Sequence, residues 1–183
     1  KIDSLVGYNN AVFQNWLQHP DYDSYWQSLV PTPQEYAKIT IPVLTTTGYY
    51  DGSQIGALQY FKLHNKYNNN ANHYFVIGPY DHWGGQRRPA KNLMGYEIDS
   101  VANVSMMELA YEWLDYILKG KSKPELLKNK VNYQVMGKNE WRHSPSLQGM
   151  NNDTLTFYLD KKTLSSQKPK TCRRLRDHAK NKR

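Results

Sequence analysis

Two side chains that can exchange protons each stand a few residues after a glycine, and that glycine directly follows a short run rich in apolar or β-branched residues. Asp51 stands in GYYDG after the run ITIPVLTTT, and His82 stands in GPYDHW after the run HYFVI. In a Ser–His–Asp triad, a carboxylate orients the imidazole, and the imidazole takes the proton of the nucleophile. The two residues are therefore candidates for the acid and the base of such a triad. Taken singly, each residue fits a simpler role better, Asp51 as a turn residue with Gly52 and His82 as a histidine of a surface loop. Their matched placement after two such runs favours the triad instead.

The runs before these residues predict the elements that position them. Residues 39–47 are rich in β-branched side chains and predict a buried parallel strand. Residues 55–67 place apolar side chains near helical spacing, and residues 73–78 predict a second strand. Strand, helix and strand make one βαβ crossover, and catalytic groups collect at the carboxyl ends of parallel strands. The sequence thus predicts an α/β fold with Asp51 and His82 at one sheet edge, in the acid-before-base order of α/β-hydrolases.

Further helices and strands are predicted on either side of this crossover. Residues 12–26 are rich in aromatic side chains and predict a helical or irregular region. Ser105 begins a capping box and predicts the start of an amphipathic helix, which Gly120 ends. Residues 131–136 and 154–159 alternate apolar and polar side chains, a pattern typical of half-buried antiparallel strands. Because the pattern changes beyond Pro124, we expect a second, β-type domain there.

The charge of the chain is concentrated at its end. Residues 169–183 hold seven basic side chains and one acidic one, and so carry six of the eight net positive charges. This segment lacks apolar periodicity, so it does not predict a folded basic face for nucleic acid. We expect a disordered tail from about Ser165 that plays no part in the candidate site. Cys172 is the only cysteine, which excludes an internal disulfide and a cysteine-based metal site.

The two motifs and their surroundings resemble one known family. Gly48-Tyr49-Tyr50-Asp51 and Gly78-Pro79-Tyr80-Asp81-His82, followed by WLDYILKG and GKNEWR, are similar to motifs of the CocE/NonD hydrolases, the superfamily of cocaine esterase and X-Pro dipeptidyl-peptidase. The similarity extends from about Val12 to Leu159. It implies an α/β-hydrolase domain, hydrolysis of esters or amides, X-Pro dipeptidyl peptides among them, through an acyl-enzyme, and no cofactor or metal. In this interpretation Asp51 is the acid and His82 is the base.

The resemblance also gives names to the segments of the chain. We predict a cap-like helical segment at residues 1–38 and the C-terminal part of an α/β-hydrolase domain, a parallel sheet with helices, at residues 39–123. Residues 124–164 are predicted to begin a truncated β jelly-roll domain, and residues 165–183 to form the basic tail. The implied partner is a small ester or peptide substrate, with no nucleic acid and no membrane, and a homo-oligomer is left open.

The sequence departs from the family at the nucleophile. A G-x-S-x-G elbow is expected before Asp51, yet Ser4, Ser24 and Ser28 are the upstream serines and none has a glycine two residues to either side. We therefore expect the chain to be a C-terminal fragment that lacks the nucleophile and the oxyanion-hole donors and is inactive alone. Its localisation, cytoplasmic or secreted, depends on residues outside this sequence.

Several assignments have alternatives that the sequence leaves open. Tyr49, Tyr50, Tyr80 and Trp83 are predicted either to line a substrate pocket or to pack the sheet edge. Asp81 is a rival partner for His82, although we favour a loop role because neighbouring side chains usually diverge. His19, Asp21 and Asp23 lack the spacing of a metal site and predict a solvated turn. A basic nucleic-acid-binding module acting through the tail, and a pseudoenzyme or interaction scaffold, are the alternative functions.

Overall fold

A computed structural model describes residues 2–151, 156–159 and 164–165 of the chain. The chain divides into two units, Lys1–Pro145 and Ser146–Arg183. The first unit contains six helices among its described residues: α1 (Ile2–Val6), α2 (Ala11–Leu17), α3 (Ser24–Ser28), α4 (Pro33–Ala37), α5 (Gln54–Tyr67) and α6 (Met106–Lys119). Its described strands are β1 (Val43–Gly48), β2 (His73–Gly78), β3 (Asn92–Leu93), β4 (Tyr96–Glu97), β5 (Val131–Val135) and β6 (Glu140–Ser144).

One four-stranded sheet organises the first unit, with strands in the order β1-β2-β5-β6. Strands β1 and β2 are parallel, with Gly48 opposite Gly78 at their ends, and α5 connects them. Strand β5 pairs parallel with β2, and β6 turns back to pair antiparallel with β5. The predicted βαβ crossover and the mixed α/β class with a predominantly parallel sheet are therefore confirmed.

Strand β2 is covered on both faces, which explains its nearly continuous apolar sequence. Successive side chains of a strand point to opposite faces. On one face the Phe75 ring lies 5.1 Å from the ring of Phe61 in α5. On the other face the Tyr74 ring lies 5.2 Å from the indole of Trp113 in α6. Helices α5 and α6 thus cover the two sides of this strand, and Val76 joins the buried cluster on the α6 side.

Helix α6 begins and ends where the sequence predicts. The Ser105 side chain accepts a hydrogen bond from the backbone N–H of Glu108, and Gly120 adopts a left-handed conformation with φ of 67° at the C-terminal end. The buried face of the helix consists of Met106, Leu109 and Trp113. This face packs with Val76, Tyr80, Ala102 and Leu127 into one hydrophobic cluster.

Residues 2–38 contain four short helices. Two of them, α2 and α3, lie largely in the aromatic-rich region 12–26, which was predicted to be helical or irregular. The indole of Trp26 donates to the carbonyl oxygen of His19 at 2.8 Å and lies near the ring of Trp16. Helix α4 carries a complete capping box at Thr32, and its buried Tyr36 lies 5.9 Å from the Tyr60 ring of α5. A cap over a substrate site stays a prediction for this segment.

Strand β5 corrects a prediction. We expected residues 131–136 to form a half-buried antiparallel strand in a separate β-domain that starts at residue 124. Strand β5 does pair antiparallel with β6, but it also pairs parallel with β2 in the main sheet, and the first unit extends to Pro145. The polar side chains that suggested an exposed face, Asn132 and Gln134, are 0% and 1% exposed. The amide nitrogens of both side chains donate hydrogen bonds in the interior, whereas the buried Oε1 of Gln134 accepts none from the described residues.

The second unit is described only in short stretches. It contains a 3-10 turn at Gln148–Met150 and an antiparallel pair of two-residue strands, β7 (Tyr158–Leu159) and β8 (Leu164–Ser165). The predicted strand at residues 154–159 therefore lies partly outside the described residues. The jelly-roll assignment stays a prediction for this unit. The basic tail, predicted to be disordered, lies outside the described residues from residue 166 onward, and so does Cys172.

Candidate active site

The loops that follow β1 and β2 are tied together at the carboxyl edge of the sheet. The backbone N–H of Tyr49 donates to the carbonyl oxygen of Gly78 at 2.8 Å. The N–H of Tyr50 donates to the carbonyl oxygen of Tyr80 at 3.0 Å. The hydroxyl of Thr46 in β1 also donates to the carbonyl oxygen of Gly85, at 2.7 Å. These contacts hold the two loops side by side, so that residues after one strand face residues after the other.

Asp51 lies in the turn between β1 and α5, and its carboxylate is largely enclosed. Its side chain is 9% exposed. Oδ1 accepts a hydrogen bond from the backbone N–H of Ser53 at 2.9 Å. Oδ2 accepts a longer hydrogen bond from the hydroxyl of Thr47, at 3.4 Å. The carboxylate is thus held on both oxygens, and Oδ1 is directed to the second loop.

His82 lies opposite, in the loop after β2. Its Nδ1 is 3.1 Å from Oδ1 of Asp51. Because a carboxylate only accepts hydrogen bonds, Nδ1 carries the hydrogen in this pair. The histidine side chain is 54% exposed. The structure therefore brings together the two residues singled out from the sequence, with one edge of the imidazole on the carboxylate and the other edge facing outward.

The environment of Asp51 keeps it ionised. Burial by itself would raise the pKa of the Asp51 carboxyl. The hydrogen bonds from Ser53 and His82 favour the charged form and outweigh that effect, so the pKa of Asp51 lies below its ordinary value. A carboxylate in this state can orient the imidazole and stabilise the positive charge that the ring would gain on taking a proton.

Ser53 touches the imidazole on the wrong side to be a nucleophile. Its hydroxyl oxygen lies 3.2 Å from Nδ1 of His82, the same nitrogen that faces Asp51. A nucleophile in a triad gives its proton to the other nitrogen, Nε2. Ser53 therefore supports the contact between acid and base. Among the described residues, the side chain within hydrogen-bond distance of Nε2 is that of Gln86, whose Nε2 lies 3.1 Å away.

The four aromatic residues proposed for substrate contact divide into two pairs. The ring of Tyr80 is fully buried in the core cluster, and its hydroxyl donates to the carbonyl oxygen of Ala102 at 2.9 Å. Tyr49 is half-buried, and its hydroxyl donates to the carbonyl oxygen of Gln134 at 2.7 Å. Burial raises the pKa of Tyr49 to about 12, with a smaller effect from a neighbouring tyrosine. These two tyrosines fix the sheet edge, which corrects the substrate-pocket interpretation of Tyr80.

Tyr50 and Trp83 make up the exposed pair. Tyr50 is 46% exposed, and its hydroxyl lies 3.8 Å from Sδ of Met136. Trp83 is 60% exposed and lies edge-on to the His82 ring, with 5.7 Å between the ring centres. The guanidinium of Arg87 stacks over its indole at 5.0 Å. A substrate-binding role therefore stays a prediction for Tyr50 and Trp83.

The weaker candidates take local roles. Oδ1 of Asp81 accepts a hydrogen bond from the backbone N–H of Gly84 at 2.7 Å, which is the contact of a loop residue. Nδ1 of His19 lies 2.6 Å from Oδ2 of Asp23, and the His19 ring stacks on Tyr25. Within the described part of the chain, no group of three or more histidine, cysteine, aspartate or glutamate residues is arranged to hold a metal ion.

Sequence reasoning missed Thr47, Ser53 and Gln86. Ser53 stands two residues after Asp51, the spacing at which an aspartate side chain accepts from the backbone in a turn. Gln86 stands four residues after His82 in a loop without regular structure, so its spacing carries no such signal. Thr47 is one of three successive threonines in β1, where β-branched residues are expected as strand formers, so its hydroxyl gives no separate signal as a donor.

The comparisons with known proteins bear on this part of the chain. Residues 4–84 match the family model of X-Pro dipeptidyl-peptidases (S15 family), a range that includes both Asp51 and His82. This match, over somewhat less than half of the chain, supports the family resemblance predicted from the motifs. No curated protein matches the chain.

Two solved structures share the fold. An aminopeptidase from a marine sediment archaeon, Thaumarchaeota archaeon, is 24% identical with a TM-score of 0.67, over 87% of this chain and 26% of that chain. A CocE/NonD family hydrolase from Staphylococcus aureus is 17% identical with a TM-score of 0.56, over 82% of this chain and 24% of that chain. The present chain thus spans about a quarter of the length of either structure. In the described part of the chain, the helices are too short or too polar to cross a membrane.

Proposed function

We propose that this chain supplies the acid and the base of a Ser–His–Asp triad in a hydrolase of the S15 family. The observation that carries the proposal is the 3.1 Å contact between Oδ1 of Asp51 and Nδ1 of His82, made by loops at the ends of two paired parallel strands. The contact leaves Nε2 of His82 on the edge of the ring opposite to Asp51, within reach of the exposed Gln86 side chain. That nitrogen is the one that takes a proton from a nucleophile.

In the proposed reaction, a serine of the same protein, located outside this sequence, attacks the carbonyl carbon of an ester or amide. His82 Nε2 takes the hydroxyl proton as the bond between serine oxygen and carbonyl carbon forms, and then gives it to the leaving alcohol or amine. Asp51 stays ionised and stabilises the imidazolium, in keeping with its lowered pKa. Water then attacks the acyl-enzyme, and the same histidine moves its proton to the serine.

The substrate class of the proposal comes from the family. X-Pro dipeptidyl-peptidases act on peptides, and one of the structures with this fold is described as an aminopeptidase. We therefore propose a peptide with a free amino end, or a small ester, as the substrate of the complete protein. The exposed rings of Tyr50 and Trp83, which are next in sequence to Asp51 and His82, are suited to pack against an apolar side chain or a proline ring.

The proposal is tested in a protein that joins this chain to the segment with a glycine-flanked serine. We expect a serine-directed fluorophosphonate to label that protein. His82→Ala and Asp51→Asn should each lower the labelling rate by about 10⁴, since triad members act as one unit. The matched control is His19→Ala, because His19 also pairs with an aspartate but lies in the connection between α2 and α3. Labelling that is as fast in His82→Ala as in the parent would refute the role of His82.

A further inference from the structure

The side chain of Gln86 makes two contacts with His82, both through its amide nitrogen. Gln86 Nε2 lies 3.1 Å from the backbone carbonyl oxygen of His82 and 3.1 Å from the imidazole Nε2. A carbonyl oxygen only accepts hydrogen bonds, so the group directed at it must be the NH2 of the amide and not its oxygen. The contact with the backbone therefore fixes the orientation of the amide.

This orientation determines the protonation of the imidazole. One hydrogen of the Gln86 NH2 points to the carbonyl oxygen, and the other points to Nε2 of His82. A nitrogen that accepts this hydrogen bond presents a lone pair and no hydrogen. On the other edge of the ring, Nδ1 donates to Asp51 at 3.1 Å, with Ser53 Oγ at 3.2 Å from the same nitrogen. Both edges thus favour one neutral tautomer, with the hydrogen on Nδ1.

We infer that Gln86 is a positioning residue for His82. Its amide holds the imidazole in the tautomer of a general base and covers the Nε2 lone pair until another donor replaces it. Rotation of the ring would break its contact with Asp51 on one edge and with Gln86 on the other. The second hydrogen bond of the amide goes to the backbone of His82 itself, so the amide is positioned relative to the residue whose ring it contacts.

The consequence for catalysis rests on the proposed function. The hydroxyl of an incoming nucleophile has to donate to the same lone pair that the Gln86 amide occupies. The amide must therefore give up this hydrogen bond before proton transfer, and it can keep the one to the carbonyl oxygen while doing so. Gln86 is exposed at the surface of the described residues, so its side chain has room to move.

The contact can be tested on the 183-residue chain without any measurement of hydrolysis. Diethyl pyrocarbonate acylates an imidazole nitrogen through its lone pair, and in His82 only Nε2 offers one. The rate of modification at each histidine is followed by mass spectrometry of peptides at one fixed pH, with His19 as the internal reference. The variants are Gln86→Leu, which removes the donor, and Gln86→Glu, which replaces the amide with an acceptor of the same shape.

We expect Gln86→Leu to speed the modification of His82 by about twofold to tenfold, the range set by the loss of one net hydrogen bond. Gln86→Glu should slow it, because a carboxylate at this position favours a hydrogen on Nε2. Gln27→Leu is the matched control, since Gln27 is also exposed and donates to a carbonyl oxygen, that of Tyr22. The inference is overturned if the Leu and Glu variants leave the His82 rate unchanged or shift it in the same direction.

This outcome is separable from that of the fluorophosphonate experiment. Unchanged diethyl pyrocarbonate rates would remove the role of Gln86 and leave Asp51 and His82 as acid and base. If His82→Ala does not slow labelling by the fluorophosphonate, the assignment of Asp51 and His82 to a triad is wrong. Opposite shifts of the diethyl pyrocarbonate rate in Gln86→Leu and Gln86→Glu would still support the contact between Gln86 and His82.

Discussion

Gly48 and Gly78, which stand opposite each other at the ends of β1 and β2, both lie against Tyr80. A Cβ atom on Gly48 would lie 1.9 Å from the backbone oxygen of Tyr80, and a Cβ on Gly78 would lie 2.6 Å from its ring. The Tyr80 ring fills the core, so it cannot move aside. The two glycines of the motifs are therefore required by the close approach of the two loops that carry Asp51 and His82.

We expect Gly48→Ala to destabilise the chain by about 3 kcal/mol or more, because the added methyl group meets backbone and not a flexible side chain. Gly56→Ala is the control, since its Cβ would meet nothing within 4 Å and the residue lies in α5. This second change should stabilise the chain by about 0.5–1 kcal/mol. The free energy of unfolding in urea measures both effects. Equal stability of the two variants would show that the loops tolerate a wider separation.

At the scale of elements, a buried chain of hydrogen bonds joins β1, α5 and β2. Nε2 of His64 lies 3.1 Å from the carbonyl oxygen of Ile39, and Nδ1 of His64 lies 3.0 Å from Nδ1 of His73. Nε2 of His73 lies 2.8 Å from the hydroxyl of Thr45. Because the carbonyl must accept, Nε2 of His64 carries a hydrogen. The two Nδ1 atoms face each other, so one of them carries a hydrogen and the other accepts it, and His73 in its neutral form has one donor and one acceptor for its two partners.

The buried histidine pair predicts loss of stability in acid. Burial lowers the pKa of His73 from its ordinary 6.5 to about 3, with smaller effects from His64 and Lys130. As pH falls below about 6.5 the unfolded chain takes up a proton at His73 and the folded chain does not, so stability falls until about pH 3. The loss amounts to at most about 1.4 kcal/mol per pH unit.

We therefore expect the free energy of unfolding to fall by about 2 kcal/mol between pH 7 and pH 5, as a result of His73. In His73→Gln this fall should be smaller, although the variant starts from a lower stability because the hydrogen-bond chain is broken. Gln27→Leu is the control, since Gln27 is exposed, does not titrate and should leave the pH dependence unchanged. Urea unfolding at both pH values measures the difference, and the same fall in His73→Gln as in the parent would contradict the explanation.

At the scale of the whole molecule, the sheet and its two covering helices lie in one unit. All four strands of the sheet, α5, α6 and both loops of the candidate site precede Pro145. Helix α6 also exposes a second row of apolar side chains, Met107, Tyr111, Leu114 and Leu118, at helical spacing. The helix is therefore apolar on its buried face and on part of its outer face.

A chain that ends at Pro145 should still fold cooperatively, because it retains every strand of the main sheet and the core cluster built on α6. Far-UV circular dichroism and urea unfolding of the shortened chain test this, and diethyl pyrocarbonate modification of His82 reports on the candidate site. A broad, non-cooperative transition in the shortened chain would mean that the first unit depends on residues 146–183 for its stability.

The sequence by itself determined the features that arise from local patterns. The β-branched run before Gly48 and the apolar run before Gly78 identified β1 and β2, and Ser105 and Gly120 marked the ends of α6. The positions of Asp51 and His82 followed from the same strands, since parallel strands end at one edge. These inferences succeed because helix caps, strand composition and loop motifs act over a few residues.

Only the tertiary structure decided what distant residues contribute. Asn132 and Gln134 gave β5 the alternation of an exposed face, yet Nδ2 of Asn132 donates to Asn129 and Nε2 of Gln134 donates to Asp99, 35 residues earlier. The motif that contains Tyr80 predicted that its ring would lie at the site, but the ring is buried in the core cluster. A polar side chain can be buried wherever a partner satisfies it, and that partner need not be near in sequence. For the same reason, only the folded loop could place the amide of Gln86 against the imidazole of His82.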